Sequence, residues 1–361
     1  MSIAREEGHT AFQLEPDALI EAFRAHPPEG FEVLAGRPLL FAAPFDLLTT
    51  ADPALKRRLA RLPLYRLWSR LLRLRTAFFG ATVSEYLPWP RADRAQAQLR
   101  RALSDWAPRY PLLIVKDLPL ASPLLGARDN AFAEALAQAC VQAGCILVEG
   151  QALAYVPIDF DSIDAYLQRL SAGRRKDLKR KLRQRARLEV RRRPCGDAAF
   201  ADEVAVDAYY ALYEAVYAQS ELHFDRLTRD FFATVLRDAA TGGIVFEYWL
   251  DGALVGWNLC FEHDGRLVDK YIGLRYPQAR DCNLYFVSWM VNLEHALERG
   301  LTAYVAGWSD PGVKAQLGAR FTFTRHAVHV RNPLLRALAR RFAGHFESDR
   351  IWQAEREGDA A

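Results

Sequence analysis

Between Arg266 and Gly318 the chain carries a β-α-β unit, and that unit limits what the rest can be. Leu267 to Leu274 reads as a buried strand, Tyr276 and Pro277 make a turn, and a helix is expected from about Asn283. Gly300 supplies the left-handed residue on which helices end, and a second strand follows over Leu301 to Ala306. The helix is apolar nearly all round, with Ser288, Asn292, His295 and Arg299 falling at helical spacing into its one polar stripe. A helix so covered packs against a sheet. Upstream, Ile244 to Leu250, Ala253 to Glu262 and Leu267 to Leu274 are joined by Asp251-Gly252 and Asp264-Gly265, the strongest hairpin signals in the chain. An antiparallel meander therefore feeds the β-α-β unit.

At 361 residues and 51% hydrophobic, the chain is too long for one core and too apolar for disorder, so two domains are expected. Residues 1–170 are assigned to the first, 171–346 to the second and 347–361 to a tail. Its five cysteines are odd in number and form no CxxC pair, which speaks against a disulfide framework or a structural zinc site and for a reducing compartment. The N-terminus lacks a basic start followed by an apolar run, and no apolar stretch reaches membrane-spanning length. The expected location is cytoplasmic, at most peripheral to the inner membrane.

Charge is unevenly spread. Arg169 to Arg193 holds 13 Lys or Arg against Asp177 and Glu189, and Leu55 to Arg75 holds 8 against none; with +4 overall, everything else is strongly acidic. The segment nearer the N-terminus, Leu55 to Arg75, has Leu55, Leu59 and Leu62 on one face, Pro63 as a break, and Leu64, Leu67, Trp68, Leu71 and Leu72 resuming. It reads as a kinked amphipathic helix that either packs on its own domain or meets a membrane or acyl chain. The other has only a narrow apolar stripe, Leu178 and Leu182, so Lys176 and Arg180 with their neighbours face solvent or a polyanion. Solvent, a nucleotide or coenzyme phosphate, transfer RNA and an anionic membrane compete, and a phosphate-bearing partner is favoured.

In the first half, a helix over Pro16 to Ala25, a strand pair over Phe31 to Phe45 turned at Gly36 and Arg37, and strands over Ala77 to Tyr86 and Tyr110 to Lys116 are expected. A helix over Asn130 to Ala143, Gly144 and a strand ending at Gly150 echo the order at Glu298 to Gly307, which suggests two related α/β halves. The second half opens with a helix over Val204 to Gln219, its tyrosines Tyr209, Tyr213 and Tyr217 in an i, i+4, i+8 row.

The order helix, helix, meander, helix ending in ERG, strand and KAQLGARF resembles the acetyltransferase-type domain of the GNAT superfamily. It is most similar to the branch that holds the Fem-type peptidoglycan aminoacyltransferases, in which RRKDLKRKLRQRARLEVR matches an opening basic helix and strand. The resemblance spans about Ser171 to Val330. It implies an α/β (α+β) fold of tandem GNAT-like domains, each a mixed, mostly antiparallel sheet flanked by helices, the first one degenerate. It also implies transfer of an acyl group from a thioester or aminoacyl ester to an amine, with no permanently bound cofactor and acyl-CoA as co-substrate. Tyr271, Ile272, Gly273 and the segment Arg280 to Asn283 would then line the donor site. YPQARDCN carries no glycine where the superfamily has a glycine-rich loop, so a carrier-protein or aminoacyl donor stays open.

For acid-base work Asp269 is the first candidate, because a carboxylate on a buried strand is costly unless paired; Glu262 and Tyr271 join it, and Lys270 points to the opposite face. Lys314 is a surface lysine or a ligand for the donor's phosphate, Asp310 caps the turn before it, and Trp257 and Trp308 wall a pocket or fill the core. His326 and His329 lie three apart on a strand, on opposite faces, and no metal is expected. Cys282 sits near a helix start without a histidine at triad spacing, and no Walker loop, GxGxxG or GxSxG occurs. The alternative to an enzyme is a non-catalytic protein that holds RNA or an anionic membrane through the basic helix.

Overall fold

The computed structural model describes residues 10–36, 38–48, 57–58, 60–91, 94–220 and 223–342. Contacts divide the chain into two compact units: Met1–Gln13, Gly30–Ala152 and Thr322–Ala361 in one, Leu14–Glu29 and Leu153–Phe321 in the other.

In the first unit a short ribbon pairs β1 (Thr10–Ala11) with β5 (Trp89–Pro90). The main sheet places β2 (Glu32–Ala35), β3 (Leu40–Asp46), β4 (Arg73–Phe79), β6 (Leu112–Leu120) and the Thr322–Val330 part of β13 (Arg320–Val330) side by side. All neighbours are antiparallel except β4 and β6, which run parallel from Thr76↔Leu112 to Phe79↔Val115. A parallel pair needs a crossover, and helix α2 (Ala95–Trp106) lies on it, burying Ala95, Leu99 and Leu103 on one stripe. Phe41 and Phe78 stack at 5.0 Å in the core. Helix α3 (Ala127–Gln142) follows β6, and helix α11 (Pro333–Phe342) follows β13.

Three expectations for this half are corrected. The strand set over Ala77 to Tyr86 runs instead from Arg73 to Phe79, since Gly80, at φ +129, takes the chain out of the ladder. The first basic segment is not one kinked helix. Tyr65–Trp68 makes a single helical turn, Ser69–Leu72 a 3-10 turn, and Arg73 to Arg75 already pair with Asp46 to Pro44 of β3. Strand pairing there outweighs helical spacing; Leu55, Lys56 and Leu59 of that segment, and Arg37 of the turn expected earlier, lie outside the described residues. The echo of the β-α-β unit is β4-α2-β6, whereas β7 (Ile146–Pro157), the strand after Gly144, ends antiparallel to its partner in the second unit.

That second unit orders its strands β7, β12 (Ala303–Gly307), β11 (Arg266–Leu274), β10 (Ala253–His263), β9 (Gly243–Leu250) and β8 (Glu189–Pro194). The meander forms as expected, and both Asp-Gly turns have positive φ at both residues (50° and 77°; 47° and 72°), as a two-residue hairpin requires. Helix α9 (Leu284–Glu298) covers one face of β10 and β11, and helices α6 (Glu203–Tyr217) and α7 (Arg229–Arg237) cover the other. Ser288, Asn292 and His295 of α9 are buried, and Gly300 ends it at φ +64. The unit also contains helix α1 (Asp17–Ala25), helix α4 (Ile163–Gln168), the basic helix α5 (Ala172–Leu182), the one-turn helix α8 (Gln278–Asp281) and helix α10 (Pro311–Gln316). Residues 153–170 fall here rather than with the first half, because Ala154 to Pro157 pair with β12 and the Tyr166 hydroxyl donates to the carbonyl of Leu317. Each unit is thus a mixed, mostly antiparallel sheet flanked by helices.

Candidate active site where two parallel strands part

β11 and β12 stay in parallel register only from Arg266↔Ala303 to Val268↔Val305, while β11 continues along β10 to Leu274. The first residue past the fork is Asp269. The pairing of β10 with β11 slips at the same place, from Leu259↔Tyr271 to Cys260↔Asp269, so Lys270 is an extra residue. Such a bulge re-aims side chains. Asp269 and Tyr271, two apart and expected on one face, point to opposite ones. Asp269 meets Asn292 of α9, and the Tyr271 ring packs edge-on against Phe231 and Phe232 of α7 at 5.8 and 5.4 Å.

The Asp269 carboxylate sits in a polar network drawn from three elements. Its Oδ2 accepts from Asn292 Nδ2 at 2.9 Å and from the Tyr304 hydroxyl at 2.8 Å. Its Oδ1 takes longer bonds from Asn258 Nδ2, 3.4 Å, and the Cys260 thiol, 3.5 Å. Behind them Asn258 Nδ2 also donates to Asn292 Oδ1 at 3.0 Å, and the Tyr248 hydroxyl donates to Asn258 Oδ1 at 2.7 Å. Burial pushes the Asp269 carboxyl above the usual aspartate range, against the pull of Tyr304, the nearby Lys314 charge, Asn258 and Cys260. Burial also lifts the Cys260 thiol and the Tyr304 phenol well above their ordinary values. Of the three groups, Asp269 is the one that is an acceptor when ionised and whose affinity for a proton is strengthened by its burial.

Lys314 is not on the surface. It is 3% exposed, and its Nζ donates to the carbonyl of Ala306 at 2.6 Å. The cause is local: Gly307 (φ +78°) and Asp310 (φ +51°) turn the chain sharply, and α10 carries Lys314 back beneath the end of β12. A Cβ at Gly307 would lie 3.9 Å from Nζ and 3.8 Å from the carbonyl oxygen of Asp269, so strand end, lysine and carboxylate residue converge. Asp310 occupies the position before α10 without a side-chain capping bond, contrary to its expected role. The Lys270 ammonium, turned away by the bulge, meets Glu15 at 3.1 Å.

The other expected site residues lie elsewhere. Glu262 is held by His295 Nε2 at 2.8 Å and Arg299 Nε at 3.1 Å. Burial by itself raises its pKa, but these bonds outweigh it and hold the carboxyl below the usual glutamate range. A depressed carboxylate adds stability that is present above the unfolded-state value and lost as pH falls through the folded one. Glu262→Gln is accordingly expected to flatten the fall of melting temperature between about pH 5 and pH 3; an acid limb as steep as the parent's would show that the ion pair contributes nothing.

Ile272 packs half-buried against the core. Gly273 is a packing glycine: an added Cβ would lie 2.3 Å from Trp257 Nε1 and 2.9 Å from Leu212 Cβ. Trp257 fills the core, fully buried, and its Nε1 donates to the carbonyl of Tyr209 at 3.0 Å. Arg280 donates to Gln219 Oε1 at 2.7 Å and lies over the Tyr276 ring, and Asn283 precedes α9 at φ +50°. Without a glycine the segment winds into α8, and the N–H groups of residues 279–283 all bond to carbonyls of residues 275–280. These N–H groups are thereby taken, in the segment expected to line the donor site. Cys282 is buried, which raises its thiol pKa, and Trp308 is half-buried just past Gly307.

Lys176 is exposed on α5, and Arg180 pairs with Asp177 at 2.7 Å. Much of the basic run is neutralised at home: Arg169 by Asp159, Lys179 by Asp164, Lys181 by Asp177, Arg185 by Glu294, Arg192 by Glu298 and Arg193 by Glu247. Sequence reasoning missed Asn258, Cys260 and Tyr304 as partners of Asp269. The available signal was a polar residue in each of the apolar runs GWNLCF and TAYVAG, facing the polar stripe of α9.

A family model named FemAB-like, described as peptidoglycan biosynthesis/recognition, matches residues 125–355. Among solved structures the chain is similar to FemX, with TM-score 0.54, 12% identity, 93% of this chain and 97% of that one covered. It is similar also to L-PGS from Bacillus licheniformis, with TM-score 0.51, 11% identity, and 92% and 97% covered. At such identities the likeness is one of fold. No curated protein matches the sequence.

Proposed function

The chain belongs to the FemAB-like family, and from that premise we propose that it is an N-acyltransferase, moving an acyl or aminoacyl group from an activated donor to an amine of a small molecule or peptide. The donor is acyl-CoA or a carrier-protein or aminoacyl ester. The family description, peptidoglycan biosynthesis/recognition, favours a cell-wall peptide amine as acceptor. The observation that carries the reading is Asp269: a carboxylate with a raised pKa, fixed by Asn292 and Tyr304, at the fork of two parallel strands. The neutral amine attacks the donor carbonyl through its lone pair, its nitrogen gives up a proton to a base and the donor's thiol or alcohol departs as the amide forms; a positioned base of suitable pKa supplies about 10²–10⁴-fold of rate. On this reading the buried Lys314 ammonium, beside the end of the strand, would offset the negative charge that develops on the donor's carbonyl oxygen. With the donors of residues 279–283 spent, the N–H cradle for a coenzyme pyrophosphate is lacking there, which favours a donor held by other contacts. Binding of RNA through the basic helix is the weaker reading, because Lys179, Arg180 and Lys181 on it, and Arg185, Arg192 and Arg193 after it, are paired within the protein.

Melting temperature against acyl-CoAs, free coenzyme A, carrier-protein thioesters and aminoacylated transfer RNA tests the reading. A true donor at about a hundred times its Kd adds about 2.7 kcal/mol, and so raises the melting point by roughly 3–5 °C. A shift with one donor class fixes the acyl carrier; no shift with any of them would overturn the transferase reading.

A further inference from the structure

Among the described residues, the large hydrophobic side chains left most exposed gather in two segments of the first unit. Leu62, Leu64 and Leu71 (49, 72 and 75% exposed) precede β4, and Leu334, Leu335 and Leu338 (80, 57 and 53%) lie on α11; only Val141 and Val204 of comparable exposure lie elsewhere. The sheet register brings the two segments to one end of that unit. Thr76 of β4 pairs with Leu112 of β6, and Leu112 pairs with Val330 of β13. The residues before β4 and the helix that starts at Pro333 therefore leave the sheet at the same level, two strands apart.

The chemistry of both segments is alike. On α11 the three leucines fall within one arc of the helix, while the half-buried Arg336, whose Nε donates to the carbonyl of Val330 at 2.8 Å, anchors another side to the unit. Arg341 borders the leucine arc and Arg340 lies across the helix from it; both are exposed, as are Arg57, Arg58, Arg61 and Arg70 in the first segment. No acidic residue occurs from Arg57 to Arg75 or from Arg331 to Phe342. RNA would account for the arginines but leaves the leucines in water. A neutral protein groove would account for the leucines but not for two carboxylate-free basic segments. An anionic bilayer takes both, apolar side chains entering the acyl boundary and guanidinium groups meeting lipid phosphates.

We propose that this end of the first unit docks on the surface of an anionic lipid bilayer, with α11 lying flat, Leu334, Leu335 and Leu338 inserted, and Leu64 and Leu71 as a second foothold. The contact is peripheral, since no helix among the described residues is long and apolar enough to cross a membrane. It is independent of the transfer chemistry.

The test is co-sedimentation of the full chain with phosphatidylcholine vesicles, plain or with roughly 30 mol % phosphatidylglycerol. Binding to the anionic vesicles is expected to be at least about tenfold tighter, and weaker but not abolished when salt rises from about 50 to about 500 mM. Leu334→Asn with Leu338→Asn should cut anionic binding by about tenfold or more, and Leu64→Asn with Leu71→Asn by less, all without lowering the melting point, because these side chains are already in water. Equal binding to neutral vesicles, no binding to either, or full binding by both variants would overturn the proposal. So would a dimer in lipid-free buffer that Leu334→Asn with Leu338→Asn converts to monomer while vesicle binding is unchanged, since a second copy would then be the occupant.

Discussion

Asp269→Asn is expected to lower the rate of acyl transfer by about 10²–10⁴-fold while leaving the chain folded. The amide keeps the shape of the carboxylate, and its oxygen can accept from Asn292 and Tyr304 as Oδ2 does. Its nitrogen then faces Asn258 Nδ2 and the Cys260 sulfur, a worse match for the former and an acceptable one for the latter. Stability supplies an independent sign. A carboxyl whose folded pKa is raised favours the fold below its unfolded value, and that advantage is lost as pH rises through the folded pKa. The variant cannot ionise, so its stability should change less than the parent's from about pH 4 upward, and its melting point near pH 7 should equal or exceed the parent's. Asp269→Ala is the contrasting case: it leaves Asn292 and Tyr304 without their shared acceptor and should cost about 1–3 kcal/mol. Turnover retained by the asparagine variant would remove Asp269 as the base.

Trp257→Ala is expected to destabilise the second unit by about 3–5 kcal/mol, the range for emptying a buried indole's space. Gly273→Ala should cost about 1–3 kcal/mol, because its Cβ would press on the indole nitrogen and on Leu212. The two effects should not add. In Trp257→Phe the ring that carries Nε1 is gone, so Gly273→Ala in that background should cost about 1 kcal/mol less than in the parent. Urea denaturation of the four proteins measures the coupling. A cycle that closes additively would show that Gly273 is kept for another reason than room for Trp257.

The parts of this fold that announce themselves in the sequence are local. Asp251-Gly252, Asp264-Gly265 and Gly300 each sit where only a left-handed backbone serves, so the meander and the end of α9 could be drawn residue by residue. The apolar surround of α9 likewise foretold a helix buried in a sheet, and the match to the FemAB-like family bears out the Fem-type resemblance. What escaped depends on pairings distant in sequence. The bulge at Lys270 is marked by no glycine or proline, yet it turns Tyr271 away from Asp269 and dissolves an expected catalytic trio. Strand β13 crosses into the first unit because β6 offers it an antiparallel edge, which nothing within RFTFTRHAVHV reveals. Lys314 looked exposed because two turn residues upstream, Gly307 and Asp310, and not its own neighbours, decide which way α10 faces. Gly273 looked like a ligand contact, since a glycine kept for a ligand and one kept for a tryptophan are written the same way.

The central claim is that the carboxylate at the fork of β11 and β12 serves amine acylation. Single-turnover transfer of a radiolabelled acyl or aminoacyl group, from whichever donor raises the melting point, to a cell-wall peptide amine tests it most directly. The parent should form labelled amide, and Asp269→Asn should form about a hundredth of it or less while the same donor still raises its melting point. Equal product from both proteins, or none from the parent with any bound donor, would contradict it.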